Sequence, residues 1–115
     1  MVGGYTAPRG SREDFGALLV GFYDGDVLRY AGKVGTGFDA HELRTLGERM
    51  AKLEQPDSPF GAGGPAGRDT TWIKPELVAQ VAFSEWTRDG RLRHPRYLGL
   101  RDDKPAREVV RERPS

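Results

Sequence analysis

Residues 15–34 read FGALLVGFYDGDVLRYAGKV, and this stretch decides the fold. An apolar run from Phe15 to Tyr23 is followed by Asp24-Gly25-Asp26 and then by a second apolar run from Val27 to Val34. An Asp-Gly pair between two such runs is typical of a β-hairpin. The sequence therefore predicts two antiparallel strands joined by a tight turn.

A helix is predicted directly after this hairpin. Asp39 is suited to be its N-cap, Glu42 completes a capping box, and Phe38 and Leu43 occupy the flanking staple positions. We expect the helix to end near Glu54 and to pack on a sheet. Its apolar stripe consists of Leu43, Leu46, Met50 and Leu53.

The second half of the chain predicts a long loop and another hairpin. Residues 55–70 contain four Gly and three Pro, which is typical of a loop. Residues 72–87 alternate in polarity and predict one strong strand, with a break or an edge near Pro75. Asp89-Gly90 predicts a second turn, after which residues 92–100 predict the returning strand.

Two hairpins and a capped helix between strands predict a mostly β domain. The expected architecture is an OB-fold, a small antiparallel five-stranded Greek-key β-barrel with one helix packed across it. We expect residues 15–104 to form this domain. Residues 1–14, rich in Gly and Pro, are expected to be a linker, and residues 105–115 a charged tail with a short helix followed by disorder.

Composition excludes several classes of protein. The 115 residues contain no Cys, which excludes disulfides, zinc ribbons, iron–sulfur clusters and thiol catalysis. The longest apolar run is too short to cross a bilayer, and the two His residues lack the spacing of a metal site. We expect one soluble, cytoplasmic, monomeric domain without a metal site of its own.

Basic residues are concentrated around the second turn. Of 18 positive residues 14 are Arg, the residue best suited to bidentate phosphate recognition. The cluster consists of Arg88, Arg91, Arg93, His94, Arg96 and Arg101. These side chains can follow a phosphate backbone. The alternative is a solvated hairpin whose arginines pair with surface carboxylates, and composition does not decide between the two.

A second basic site is predicted on the first hairpin. Lys33 lies between Gly32 and Val34, where small neighbours permit a phosphodiester to approach closely. Arg29 is expected on the same face of the strand. The alternative is an exposed strand lysine whose glycine shapes a bulge.

The residues after the last predicted strand are Arg101-Asp102-Asp103-Lys104. Arg and Lys three positions apart can reach one polyphosphate, and an intervening Asp can orient them. By itself this pattern is also typical of a polar tail.

In combination, these segments resemble the C-terminal OB domain of ATP-dependent DNA ligases, especially the bacterial ligase D type of non-homologous end joining. The resemblance rests on Gly3–Thr6, Gly16–Leu19, Tyr30–Phe38, Ser58–Phe60, Val81–Thr87, Asp89–Pro95 and Leu100–Pro105.

The resemblance implies that Arg101 and Lys104 face the β- and γ-phosphates of ATP and that Asp103 positions them. ATP with magnesium would be bound mainly by a nucleotidyltransferase domain, because no Lys in this chain is followed by x-Asp-Gly. We therefore expect this chain alone neither to adenylylate nor to ligate, and its residues 1–14 to be the linker from that domain.

The implied partners are nicked or broken duplex DNA at the bacterial nucleoid and the nucleotidyltransferase domain of the same ligase, with the end-binding protein Ku as a further candidate. The residues expected to bind DNA are Lys33, Arg29, Arg88, Arg91, Arg93 and His94. Two alternatives stay open, namely a free-standing nucleic-acid-binding OB module without a catalytic role and the OB domain of an RNA ligase or capping enzyme.

Overall fold

The structure is a computed structural model that describes residues 1–7, 15–61, 70–88 and 90–101. These residues form one helix, α1, and nine strands. In chain order the elements are β1 (Val2–Thr6), β2 (Leu18–Asp24), β3 (Val27–Val34), α1 (Ala40–Ala51), β4 (Glu54–Gln55), β5 (Thr70–Ile73), β6 (Ala79–Ala82), β7 (Glu85–Trp86), β8 (Leu92–Arg93) and β9 (Arg96–Leu100).

Five strands form an antiparallel sheet in the order β3-β2-β1-β5-β4, while β6 pairs with β9 and β7 pairs with β8. Backbone hydrogen bonds connect these sheets, since Val2 N donates to Leu77 O (2.9 Å) and Tyr97 N donates to Thr36 O (2.9 Å). Pairing among the described strands does not close a continuous barrel, but it is consistent with an OB-fold. The predicted mostly β class, with a five-stranded antiparallel sheet and a helix, is confirmed.

The predicted first hairpin is confirmed by the antiparallel pairing of β2 with β3. Both faces of strand β2 are buried. Leu18 and Val20 belong to one core cluster, while Leu19 between them belongs to another. Alternate side chains of a strand point to opposite faces, so an uninterrupted apolar run requires cover on both sides. The first cluster contains Val2, Phe15, Leu18, Val20, Val34, Leu46, Met50, Ile73, Leu77 and Tyr97. The second contains Met1, Leu19, Leu28, Tyr30, Phe60 and Val78.

Helix α1 covers the first core through Leu46 and Met50. Its capping box is present as predicted, because Glu42 N donates to Asp39 Oδ1 (2.7 Å) and Asp39 N donates to Glu42 Oε1 (3.5 Å). The helix ends at Ala51, before the predicted end, because the chain turns there to pair β4 with β5.

The expectation that residues 1–14 form a linker is wrong for Val2–Thr6, which form strand β1 between β2 and β5. The two glycines that suggested flexibility instead permit close packing. A β-carbon on Gly3 would lie 2.5 Å from Phe60 Cζ, and one on Gly4 would lie 2.7 Å from the Thr71 carbonyl oxygen. The rest of that segment, residues 8–14, lies outside the described residues.

The Tyr5 hydroxyl of β1 also donates to Glu54 Oε1 (2.6 Å), which ties β1 to the start of β4. Burial raises the pKa of the Tyr5 phenol, and the hydrogen bond to Glu54 and its negative charge raise it further, while a hydrogen bond with Thr71 opposes the rise. The neutral phenol that this contact needs is therefore favoured in the folded protein.

The single strand expected over residues 72–87 is also wrong, because the structure divides it among β5, β6 and β7. The predicted break near Pro75 is confirmed, since a turn at residues 75–76 separates β5 from β6. The returning strand, expected over residues 92–100, is divided between β8 and β9 at His94-Pro95, where His94 has a φ of 53°. Residues 62–69 of the expected loop, Asp89 and the tail 102–115 lie outside the described residues.

We predict that Gly37→Ala destabilises the fold more than Gly25→Ala. Both glycines have positive φ, 98° and 65°, so both substitutions carry a backbone cost of about 1 kcal/mol. Only at Gly37 would the β-carbon also meet backbone, 2.8 Å from Tyr97 N, whereas nothing lies within 4 Å at Gly25. Urea denaturation should therefore show a loss of about 3 kcal/mol for Gly37→Ala. Equal losses for the two variants would contradict this packing.

Candidate nucleic-acid interface

The candidate interface combines the outer edge of β3 with the hairpin β7–β8. Strand β3 is the first strand of the five-stranded sheet, so one of its edges has no neighbour within that sheet. The hairpin lies against this edge, because a β-carbon on Gly32 would lie 3.9 Å from Leu92 N. Further along, Tyr97 N donates to Thr36 O, so residues 32–37 run beside residues 92–97.

Arg91 makes a close contact between the two elements. Its Nη1 donates to the carbonyl oxygen of Tyr30 on β3 (2.8 Å), and its Cζ lies 4.8 Å from the centre of the Tyr30 ring. Thr87 fixes the backbone of Arg91, since Thr87 N donates to Arg91 O (2.8 Å) and Arg91 N donates to Thr87 Oγ1 (3.0 Å). Burial raises the pKa of Tyr30, and the positive charge of Arg91 opposes that rise.

An aromatic contact holds the same hairpin against β2. The rings of Phe22 and Trp86 meet edge to face at 5.3 Å between centroids, and Phe83 meets Trp86 in the same way at 5.3 Å. Edge-to-face pairs of this kind add about 1 kcal/mol to the stability that burial provides. The hairpin is therefore held at two places, by Arg91 against β3 and by Trp86 against β2.

Two of the predicted DNA-binding arginines form ion pairs with carboxylates. Arg93 Nε lies 3.1 Å from Glu85 Oε1, and Arg29 Nε lies 2.7 Å from Asp24 Oδ2. All four side chains are about half exposed, so each pair contributes at most about 1 kcal/mol. For these two arginines the structure matches the alternative in which surface carboxylates neutralise the charge.

The expectation that Arg29 and Lys33 share a face of β3 is wrong. Arg29 lies opposite Phe22 and Lys33 lies opposite Leu19, and these two partners are an odd number of positions apart in β2. Their side chains therefore point to opposite faces. The cause is a register shift between Val20 and Gly21, a bulge that adds one residue to β3 and changes its alternation.

Within the candidate interface, three of the described basic side chains stay available for a ligand. Lys33, Arg88 and Arg96 are exposed and make no ion pair or side-chain hydrogen bond with another described residue. His94 is also exposed, with Nδ1 3.2 Å from Ser84 Oγ. The sequence puts Arg96 in the basic cluster but does not predict it as a DNA-binding residue. The signal that would have identified it is Pro95, because a strand that begins directly after this residue alternates from an exposed Arg96 to a buried Tyr97.

Arg101, the first residue of the predicted polyphosphate motif, follows β9 directly, as expected. It is partly buried, and its backbone N donates to Val78 O (2.7 Å), which fixes the start of the motif to the segment before β6. The other two predicted catalytic residues, Asp103 and Lys104, lie outside the described residues.

Side-chain clusters and helix lengths were compared with those of metal sites and membrane spans over the described part of the chain. There, no three His, Asp or Glu side chains come together as metal ligands would. In the same residues no helix has the length and apolarity to cross a membrane.

Comparisons with known proteins identify the family of this chain. Residues 11–104 match the family described as "ATP dependent DNA ligase C terminal region". The chain is 46% identical over 121 residues to the multifunctional non-homologous end joining protein LigD of Pseudomonas aeruginosa, covering 100% of this chain and 14% of that protein. It is 45% identical over 115 residues to LigD of Mycobacterium tuberculosis, covering 97% of this chain and 15% of that protein.

Two solved structures are similar as well. The ligase domain of M. tuberculosis LigD superposes with a TM-score of 0.89 at 46% identity, covering 96% of this chain and 37% of that one. A mycobacterial DNA ligase D complexed with ATP and MES superposes with a TM-score of 0.84 at 44% identity, covering 96% and 36%.

The chain thus spans about one seventh of the length of these two curated relatives. Sequence, fold and family match lead to one conclusion. The chain belongs to the family of C-terminal regions of ATP-dependent DNA ligases.

Proposed function

We propose that this domain acts as the C-terminal part of an ATP-dependent DNA ligase that seals broken DNA in non-homologous end joining. The observation that carries the proposal is the family match over residues 11–104, together with 45–46% identity to LigD proteins across nearly the whole chain. The domain has two tasks in this proposal, one toward ATP and one toward DNA.

Toward ATP, Arg101 and Lys104 bind the β- and γ-phosphates while a lysine of the catalytic domain attacks the α-phosphate. The two positive charges orient pyrophosphate as the leaving group and offset the negative charge that develops on it. Asp103 positions the two cations. A guanidinium at the end of β9 suits this task, because the backbone hydrogen bond to Val78 fixes where the motif begins.

The catalytic domain supplies the groups that this chain lacks. The adenylylated lysine and the magnesium ligands belong to that domain, since no Lys here precedes x-Asp-Gly. The described residues likewise bring no carboxylate cluster together. Ku stays a candidate partner in the proposal, identified by the end-joining context alone.

Toward DNA, the exposed cations on either side of the β3 edge bind the phosphates of a nicked duplex. Lys33, Arg88 and Arg96 are the side chains best placed, because no described carboxylate neutralises them. Arg29 and Arg93 reach phosphate only by leaving Asp24 and Glu85, so we assign them a smaller part. His94, exposed directly after β8, is a further candidate for phosphate binding.

The first prediction from this proposed function concerns transfer of AMP from ATP. Adding this chain to a separately produced ligase catalytic domain should stimulate lysine adenylylation. Arg101→Ala or Lys104→Ala should reduce that stimulation about 100-fold, because each removes a charge that stabilises the leaving group. Labelled AMP retained on the catalytic domain measures the effect.

Arg44→Ala is the matched control, because Arg44 lies exposed on α1 and carries the same charge. Full stimulation by Arg101→Ala, with wild-type folding confirmed by circular dichroism, would contradict the proposed role toward ATP. A folded wild-type chain that gives no stimulation yet prefers single strands to nicked duplex would instead be a free-standing nucleic-acid-binding module.

The second prediction concerns DNA affinity. Lys33→Ala should weaken binding to nicked duplex and reduce the slope of log affinity against log salt by about one, since one phosphate contact is lost. Lys52→Ala, at the exposed end of α1, is the control and should leave the slope unchanged. Anisotropy titrations at several salt concentrations measure both, and an unchanged slope for Lys33→Ala would remove Lys33 from the interface.

A further inference from the structure

We infer that Arg91 positions the DNA-binding surface and does not itself bind phosphate. It docks the hairpin β7–β8 on the edge of β3, so that cations carried by two separate elements form one surface. This inference rests on the DNA-binding part of the proposed function. It also revises the sequence-based prediction, in which Arg91 was one of the phosphate contacts.

The contacts of Arg91 show how its guanidinium is used. One N–H donates to the Tyr30 carbonyl, and the planar group lies over the Tyr30 ring. Arg91 is also partly buried, whereas Arg88, Arg93 and Arg96 are exposed. A cation that faces a carbonyl oxygen and an aromatic ring already has the electron-rich partners that a phosphate would otherwise supply.

Tyr30, on which Arg91 packs, is itself held firmly by the second core. Tyr30 is 8% exposed and belongs to the second core, where its ring meets Phe60 edge to face at 5.4 Å between centroids. Gly61 N, next to Phe60, donates to Leu28 O (2.8 Å) on the same strand. The position of a side chain that packs on Tyr30 is therefore fixed relative to the core of the domain.

Two contacts hold the hairpin in position, that of Arg91 with Tyr30 on β3 and that of Trp86 with Phe22 on β2. Its two strands have only two residues each, and a hairpin of that size is not stable alone. Lys33 lies on β3, while Arg88 and His94 lie on or next to the hairpin. The spacing between these cations therefore depends on how the hairpin is docked.

Lysine cannot replace arginine in this role. Its ammonium is a compact charge that lacks the planar fork, so it cannot cover the Tyr30 ring while donating to the Tyr30 carbonyl. Arg91→Lys thus keeps the charge and removes the docking geometry. This difference separates positioning from direct phosphate binding.

The test measures binding of the full chain to nicked duplex at several salt concentrations. We expect Arg91→Lys to weaken binding about fivefold, close to the effect of Arg91→Ala, although its charge is unchanged. Arg88→Lys is the matched control and should stay within about twofold of wild type, because an exposed phosphate contact needs only the charge.

Tyr30 provides an independent arm of the same test. Tyr30→Phe keeps the ring and should bind DNA like wild type, whereas Tyr30→Leu removes the ring and should weaken binding as Arg91→Lys does. If the two residues act through one contact, the double variant Tyr30→Leu with Arg91→Lys should be no weaker than either single variant. Additive losses would overturn the inference.

Amide hydrogen exchange measures, in the absence of DNA, whether the hairpin β7–β8 is docked on β3. In Arg91→Lys the Thr87 and Ser84 amides, both hydrogen-bonded within the hairpin, should exchange faster while amides of β2 keep their protection. Wild-type affinity and exchange in Arg91→Lys would overturn the inference. So would an Arg91→Ala variant that loses one unit of salt slope while Arg91→Lys loses nothing, since that is the signature of a phosphate contact.

The same measurements distinguish failure of the inference from failure of the proposed function. A wild-type chain that binds no nicked duplex would overturn the DNA-binding part of the proposed function. The exchange data on Arg91→Lys would then still show whether Arg91 docks the hairpin.

Discussion

The fold depends on the burial of β2 on both faces. Leu18 and Val20 pack under the helix side of the sheet, while Leu19 packs with Phe60 on the other side. Burying each such side chain contributes about 2 kcal/mol, so neither face can be left to solvent. One face therefore requires α1 and the other requires the segment around Phe60. Strand β3 is paired to this doubly covered strand and becomes a rigid edge on which a functional surface can be built.

The bulge opposite Val20 and Gly21 determines which residues that edge presents. Without the extra residue, Arg29 and Lys33 would share a face and could act on one phosphate backbone. With it, Arg29 shares its face with Phe22 and pairs with Asp24, while Lys33 points the other way and stays exposed. A single inserted residue thus divides one apparent basic site into a neutralised arginine and an available lysine.

Local signals were predictable from the sequence, whereas contacts between distant residues were not. The Asp24-Gly25 turn and the Asp39 cap depend on neighbours within a few positions, and both are confirmed. Strand β1 was missed because its glycines resemble a linker unless Phe60, more than fifty residues away, is known to pack on them. The contacts of Arg91 with Tyr30 and of Arg93 with Glu85 were not predictable for the same reason, since neither partner is adjacent in sequence. The family was identified from motifs that resemble those of known ligases. Hydrophobic periodicity alone predicts strands and a helix but not the family.

The two proposed tasks lie at opposite ends of one strand. Arg96, one of the proposed phosphate contacts, begins β9, and Arg101 follows its last residue. Five residue steps of a strand separate them by about 16 Å. Strand β9 is paired with β6 and hydrogen-bonded to Thr36, and these bonds fix the positions of its two ends. In the proposed function, the guanidinium directed at ATP and the side chains directed at DNA are therefore held at a fixed separation by one strand.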